Sequence, residues 1–185
     1  MIETPKYSDL GIHLEPNSER VESLQYNAAA RTLIVTTSRA PYGASRRRIF
    51  IREVQQDRYQ EIAFSEGSKY FNETVTCQSA ALVFSRCRDD NDANYSALCS
   101  IHLPEGGLVQ LPSPKAVADA SKLRVDISRL LTASSDGLVV YVVMAYTPVF
   151  VPGFAGAVYW EYKIEKMSTQ TGEHEVISVL STPYA

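Results

Sequence analysis

Residues that commonly perform catalysis are sparse along this chain, and their spacing forms no catalytic signature. The three histidines are His13, His102 and His174, which we expect in an N-terminal arm, at a strand end and in a polar turn. No GxSxG, GxGxxG, GxxxxGK or HExxH motif occurs. A histidine paired with a nucleophile would depend on tertiary contacts that the spacing does not predict. We therefore expect surface histidines, no catalytic residue and no enzymatic activity.

One acidic loop has the residue types of a calcium ligand set. Asp90, Asp92 and Asn94 follow a D-x-D-x-N spacing that offers three hard oxygen ligands. An EF-hand loop would continue with a glycine and later a bidentate glutamate, but this chain has Tyr95 and Ile101 at those positions. Solvated hairpin residues explain the pattern better. We predict no metal and no cofactor.

The cysteines do not form a recognisable framework. Cys77, Cys87 and Cys99 are an odd number and contain no CxxC spacing, which argues against a disulfide scaffold and a zinc site. Partly buried, reduced thiols are the expectation. No basic segment followed by an apolar one marks a secretory signal, so we expect a cytoplasmic protein. A secreted parent stays an alternative, with possible glycosylation at Asn72 and Asn94.

A second loop is strongly basic. Arg46, Arg47 and Arg48 are consecutive, and Arg39 and Arg52 lie close to them in sequence. Five guanidinium groups could hold a phosphate or a carboxylate by paired hydrogen bonds. A solvated hairpin face is the alternative.

A third loop, residues 146–156, is apolar where loops normally face water. It contains Tyr146, Phe150 and Phe154. Such a loop is covered by a partner, by another part of the same chain or by an oligomer interface.

Composition limits the class of protein. The chain has 185 residues, of which 45% are hydrophobic, enough for a folded core and close to the size of one domain. The net charge of −3 argues against nucleic acid and anionic membranes as general partners. Residues 137–160 carry no charge, but prolines and glycines interrupt them. We therefore predict two strands joined by a loop rather than a membrane-spanning helix.

Candidate β-strands recur along the chain, and they determine where these loops lie. Apolar runs begin at Leu33, Leu82 and Leu138, at spacings of 49 and 56, and each lies within a set of four candidate strands. The three repeat units cover approximately residues 20–64, 71–112 and 124–180. Together with an N-terminal arm, residues 1–19, they make up a single β domain, residues 1–185. We expect the runs at Leu33 and Leu138 to be buried on both faces.

The aromatic strand of the third unit alternates polar and apolar residues. Its sequence, AVYWEYKI, predicts one buried face formed by Val158, Trp160, Tyr162 and Ile164.

The third unit contains Ser134-Ser135-Asp136-Gly137, the strand LVVYVV and the segment VYWEYKIEKMSTQTGE. This combination resembles the WD40-like repeats of TolB-type β-propellers. Ser135 stands where the family pattern has proline, and the first two units lack the motif. The resemblance implies a partial β-propeller of about three four-stranded antiparallel blades. A β-sandwich with a Ser-Asp-Gly hairpin is the alternative.

Three blades do not close a ring, since closed propellers use four to eight blades. We therefore expect a homo-oligomer, with two copies forming a six-bladed ring, or another protein chain that completes it. The expected function is non-catalytic binding of a protein or peptide through the long-loop face. That face would gather the three loops, with Arg46, Arg47, Arg48, Asp90, Asp92, Tyr146, Phe150 and Phe154. The alternative is the gating part of a larger prolyl-oligopeptidase-like hydrolase whose catalytic domain lies elsewhere.

Overall fold

Strands account for all regular secondary structure in the described part of the chain. The computed structural model describes residues 12, 14, 19–39, 46–64, 71–88, 96–112, 124–147 and 161–180. In these ranges the chain forms twelve β-strands and no helix, which confirms the all-β prediction. No helix within these ranges is long and apolar enough to cross a membrane.

The strands form three four-stranded antiparallel sheets, in each of which consecutive strands pair. The first sheet contains β1 (Glu19–Asn27), β2 (Thr32–Arg39), β3 (Arg46–Glu53) and β4 (Gln60–Phe64). The second contains β5 (Phe71–Thr76), β6 (Leu82–Arg88), β7 (Ser96–His102) and β8 (Gly106–Gln110). The third contains β9 (Arg124–Ala133), β10 (Val139–Thr147), β11 (Glu161–Ser168) and β12 (His174–Leu180). The predicted repetition of a four-stranded antiparallel unit is confirmed.

The second sheet lies between the other two and buries both faces. One face packs on the first sheet through a cluster that includes Ile34, Ile49, Ile51, Val83 and Ile101. The opposite face packs on the third sheet through a cluster that includes Phe84, Leu98, Ile127, Val142, Met144 and Met167. Successive side chains of a strand point to opposite faces, so Val83 and Phe84 of β6 reach different neighbours.

The two ends of the stack differ in how deeply their second strands, β2 and β10, are buried. In β2, Ile34 and Val35 are both fully buried, as predicted. In β10, Val142 is fully buried but the neighbouring Val143 is partly exposed, so the prediction of burial on both faces is wrong there. The third sheet therefore has an outer face that the described chain leaves partly open.

The outer face of the first sheet is covered differently. Val35 and Phe50 point away from the second sheet and pack with Ile12, which is itself buried. Leu14 packs against the same cluster. Thus Ile12 and Leu14 cover part of the outer face of the first sheet.

The period in the sequence appears as contacts between equivalent positions. Gln25 Nε2 donates to the carbonyl oxygen of Thr74 at 2.8 Å, and Asn27 Nδ2 donates to Thr76 Oγ1 at 2.9 Å; both pairs are 49 residues apart. The amide of Ser79 donates to the carbonyl oxygen of Ser135, 56 residues away, at 2.7 Å. The first hairpins of the three sheets therefore lie side by side.

The turn before β10 has the expected geometry. Gly137 adopts a φ of 77°, which side-chain-bearing residues rarely adopt. Asp136 Oδ1 accepts hydrogen bonds from Ser134 Oγ at 2.6 Å and from the amide of Leu138 at 3.0 Å. These two donors hold the pKa of the Asp136 carboxyl below its usual value.

The prediction of three reduced cysteines is wrong for two of them. Cys87 and Cys99 form a disulfide between β6 and β7. The antiparallel register pairs Ser85 with Cys99 and Cys87 with Ala97, so the two cysteines are diagonal neighbours on one face. Cys77 is free and buried, and its burial, with a contribution from the nearby carboxylate of Asp136, raises the pKa of its thiol to about 11.

The face assigned to the aromatic strand is also corrected. The buried residues of β11 are Glu165 and Met167, whereas Tyr162 and Ile164 are only partly buried. Tyr162 pairs with Ala145, and Glu165 pairs with Val142, which faces the second sheet. Trp160 and Val158 lie outside the described residues.

Candidate functional site

The long-loop end is the end of the stack at which β2, β6 and β10 finish. It is opposite the first hairpins, which contact one another. The amide of Ser96 donates to Asp126 Oδ1 at 2.7 Å, and Asp126 pairs with Ala145 near the end of β10. The starts of β7 and β9 and the end of β10 therefore adjoin at this end. The predicted site residues Asp90, Asp92, Phe150 and Phe154 lie outside the described residues.

Arginines near this end are engaged in ion pairs with acidic residues of the same sheet. Arg47 Nε lies 2.9 Å from Glu22 Oε2. Arg48 bonds Glu19 closely, and its second nitrogen lies 3.1 Å from Glu61 Oε2. The hydrogen bond to Glu19 raises the pKa of Arg48. These two guanidinium groups thus stabilise the first sheet, and an anion would have to compete with its carboxylates.

The remaining arginines of the predicted cluster do not share these ion pairs. Arg46 begins β3, and its side chain is outside what the structure describes. The Arg52 guanidinium stacks over the ring of Tyr59, 5.2 Å from its centroid. The consecutive arginines therefore do not form one basic site among the described residues.

Tyr146 is a buried strand residue, not a loop residue as predicted. β10 continues to Thr147, and Tyr146 is 5% exposed. Its hydroxyl donates to Glu165 Oε1, and the other oxygen of Glu165 is bonded to His174 Nδ1. Burial, followed by the bond to Glu165, raises the pKa of the Tyr146 hydroxyl.

The cluster of Tyr146, Glu165 and His174 corrects a second expectation. His174 was expected at the surface, but its side chain is 8% exposed and faces a Glu165 side chain that is fully buried. A buried carboxylate needs partners for both oxygens, and here a phenol and an imidazole supply them. The Lys163 ammonium lies 4.4 Å from the centroid of the Tyr146 ring. The cluster therefore joins β10, β11 and β12.

Among the described strands, β12 carries the largest number of exposed large apolar side chains. Its large exposed side chains are Val176, Ile177, Val179 and Leu180, with exposures between 39% and 56%. Val179 pairs with Lys163 and Leu180 pairs with Tyr162, so the exposed side chains occupy both faces of the strand. Leu180 lies near the long-loop end, since Tyr162 follows the first residue of β11.

Sequence reasoning did not identify β12 as a surface, although the pattern contains a signal. HEVISVL has apolar residues at neighbouring positions rather than in alternation. Such a strand is typically buried on both faces. The structure provides it with no sheet neighbour on its outer edge within the described ranges.

Metal coordination finds no support in the described part of the chain. No group of three or more histidine, cysteine, aspartate or glutamate side chains is close enough there to hold a metal ion.

Comparison with known proteins leaves the chain without an assigned family. No family model matches it, and no curated protein matches it.

Proposed function

We propose that this chain is a non-catalytic, propeller-type module that binds a protein or peptide at its long-loop end. The apolar strand β12 forms one wall of the proposed surface. Four large apolar side chains on β12 are exposed, and two of them, Val179 and Leu180, lie towards the loops. An exposed apolar patch of this kind is typical of an interaction site.

The propeller-type arrangement is supported by the way the sheets stack. Each sheet is a four-stranded meander, and equivalent positions such as Asn27 and Thr76 contact each other across neighbouring sheets. A propeller repeats this relation around a closed ring. In this proposal the outer face of the third sheet is where the next blade or a partner packs.

Selection from displayed random peptides tests the binding function. We expect the wild-type protein to enrich apolar, extended peptides. Val179→Ser should reduce their binding about fivefold, because burying part of one valine contributes on the order of 1 kcal/mol.

Val54→Ser is the matched control. Val54 is 57% exposed and Val179 is 56% exposed, but Val54 lies in the turn after β3. Peptides that bind both variants equally, or no enrichment at all, would contradict the proposal.

A further inference from the structure

The outer face of the first sheet is covered by the chain itself. In the described part of the chain this sheet packs on another sheet on one side only, and Val35 and Phe50 on its other side pack with Ile12. Ile12 is 7% exposed, and Leu14 packs against the same cluster. These two residues, the capping pair, are two positions apart, which is the spacing of one face of an extended segment. The capping pair therefore covers a face that has no neighbouring sheet.

The cover is narrower than the face. Leu24 pairs with Val35 and Tyr26 pairs with Leu33, so Leu24 and Tyr26 lie on the same side of the sheet as the covered cluster. Leu24 is 58% exposed and Tyr26 is 45% exposed. The capping pair thus leaves part of the apolar face open along β1, and a longer apolar segment would bury more of that face.

An arginine without a hydrogen-bond acceptor borders the same cluster. Arg52 pairs with Leu33, and its guanidinium stacks on Tyr59, which packs against the cluster. The Nε of Arg52 is buried and has no acceptor among the described residues. A buried donor without an acceptor is unfavourable, so a bound segment that supplies a carboxylate would be favoured here. In the sequence, Glu15 directly follows Leu14.

We propose that the outer face of the first sheet binds an extended apolar peptide segment with a neighbouring carboxylate, and that the capping pair keeps this face closed as an autoinhibitory contact. A competing segment that also covers Leu24 and Tyr26 buries more apolar area than the capping pair does, and it therefore displaces the pair. This surface is on the first sheet, whereas β12 is on the third, so the proposal is independent of binding at the long-loop end.

Fluorescence anisotropy with a labelled peptide of residues 9–16, DLGIHLEP, tests this surface. The full-length double variant Ile12→Ser/Leu14→Ser should bind the peptide about tenfold more tightly than wild type does, because its own segment no longer competes. A peptide that carries the same two replacements should bind the double variant about tenfold more weakly than the native peptide does. Adding Val179→Ser to the double variant should leave the affinity unchanged, because Val179 is on β12.

The role of Arg52 is tested in the same double variant. Arg52→Gln should weaken binding of the peptide about fivefold, because it removes the charged donor for the peptide carboxylate. Arg58→Gln is the matched control, since Arg58 is an exposed arginine before β4, and it should not change the affinity. Equal affinities for the two variants would overturn the carboxylate requirement.

The single variant Leu14→Ala keeps the test decisive if the double variant folds poorly. Leu14 is only partly buried, and its replacement should raise the affinity for the native peptide about threefold over wild type. Equal binding by wild type and both variants, binding by none of them, or equal affinity for the native and the replaced peptide would overturn the proposal. If DLGIHLEP binds as expected while random-peptide selection enriches nothing, only the binding function at the long-loop end is contradicted.

Discussion

Replacing Asn27 by alanine should destabilise the protein more than the small size of the asparagine side chain suggests. Asn27 is fully buried at the end of β1. Its Nδ2 lies 2.9 Å from Thr76 Oγ1, 3.0 Å from the Cys77 carbonyl oxygen and 2.9 Å from the Ala80 carbonyl oxygen. Its Oδ1 accepts from the amide of Ala30 at 2.8 Å. One side chain therefore holds its own hairpin closed and binds it to the hairpin of the second sheet.

The magnitude follows from the groups left without a partner. Asn27→Ala removes the amide that bonds the Cys77 carbonyl and the acceptor for the Ala30 amide, at a position where the asparagine is fully buried. Each unsatisfied buried group costs about 1–3 kcal/mol, so we expect a loss of about 2–4 kcal/mol in the free energy of unfolding. The corresponding fall in Tm is about 5–15 °C for a chain of this size.

Gln25→Ala is the matched control for this prediction. Gln25 also bridges the first and second sheets through Thr74, but it is only partly buried, so water can replace its hydrogen bonds. We expect a loss of about 0.5–1 kcal/mol. Urea denaturation of both variants, with unchanged m-values, measures the difference. Equal losses, or a loss below that of Gln25→Ala, would refute the assigned role of Asn27.

Three further predictions concern other parts of the fold. Gly137→Val should lower the free energy of unfolding by about 1–3 kcal/mol, because φ is positive at Gly137 and a Cβ would lie 3.2 Å from Cys77 Sγ. An unchanged denaturation midpoint would contradict this. A thiol reagent near neutral pH should detect no thiol in the native protein, one after denaturation and three after denaturation with reduction. Cys77 is buried, with a thiol pKa of about 11, and Cys87 and Cys99 are joined in a disulfide. Detection of three thiols before reduction would exclude the disulfide. His174→Leu should lower the free energy of unfolding by about 2–3 kcal/mol, because it removes a hydrogen-bond partner of the buried Glu165. His102→Leu, at an exposed position, should leave that free energy nearly unchanged. Equal denaturation midpoints for the two variants would show that the buried cluster does not contribute to stability.

Local sequence patterns were sufficient for the sheets. The apolar run at Leu33 and its counterpart at Leu82 predicted central strands, because repeated apolar segments need neighbours to bury them. The Asp136-Gly137 turn could be predicted because its positive φ depends mainly on one glycine.

Features that depend on register or on distant contacts could not be read in the same way. The buried face of β11 carries Glu165 and Met167, although alternating aromatic residues had indicated the other face. The Cys87–Cys99 disulfide depends on the pairing of β6 with β7, which the cysteine spacing alone does not specify. Tyr146 was assigned to a loop and His174 to the surface. Both side chains instead bond Glu165, a charged residue whose burial no local pattern predicts.

Hydrogen exchange at β12 is the most direct test of an interaction surface on the third sheet. Amides of residues 174–180 should exchange more slowly when a selected peptide is added, because a bound peptide protects the amides that it covers. The amides of β8, residues 106–110, provide an internal reference, since β8 is also an edge strand and should not respond. Slowed exchange at β12 alone is the predicted result. Exchange at β12 that is the same with and without peptide would contradict the account.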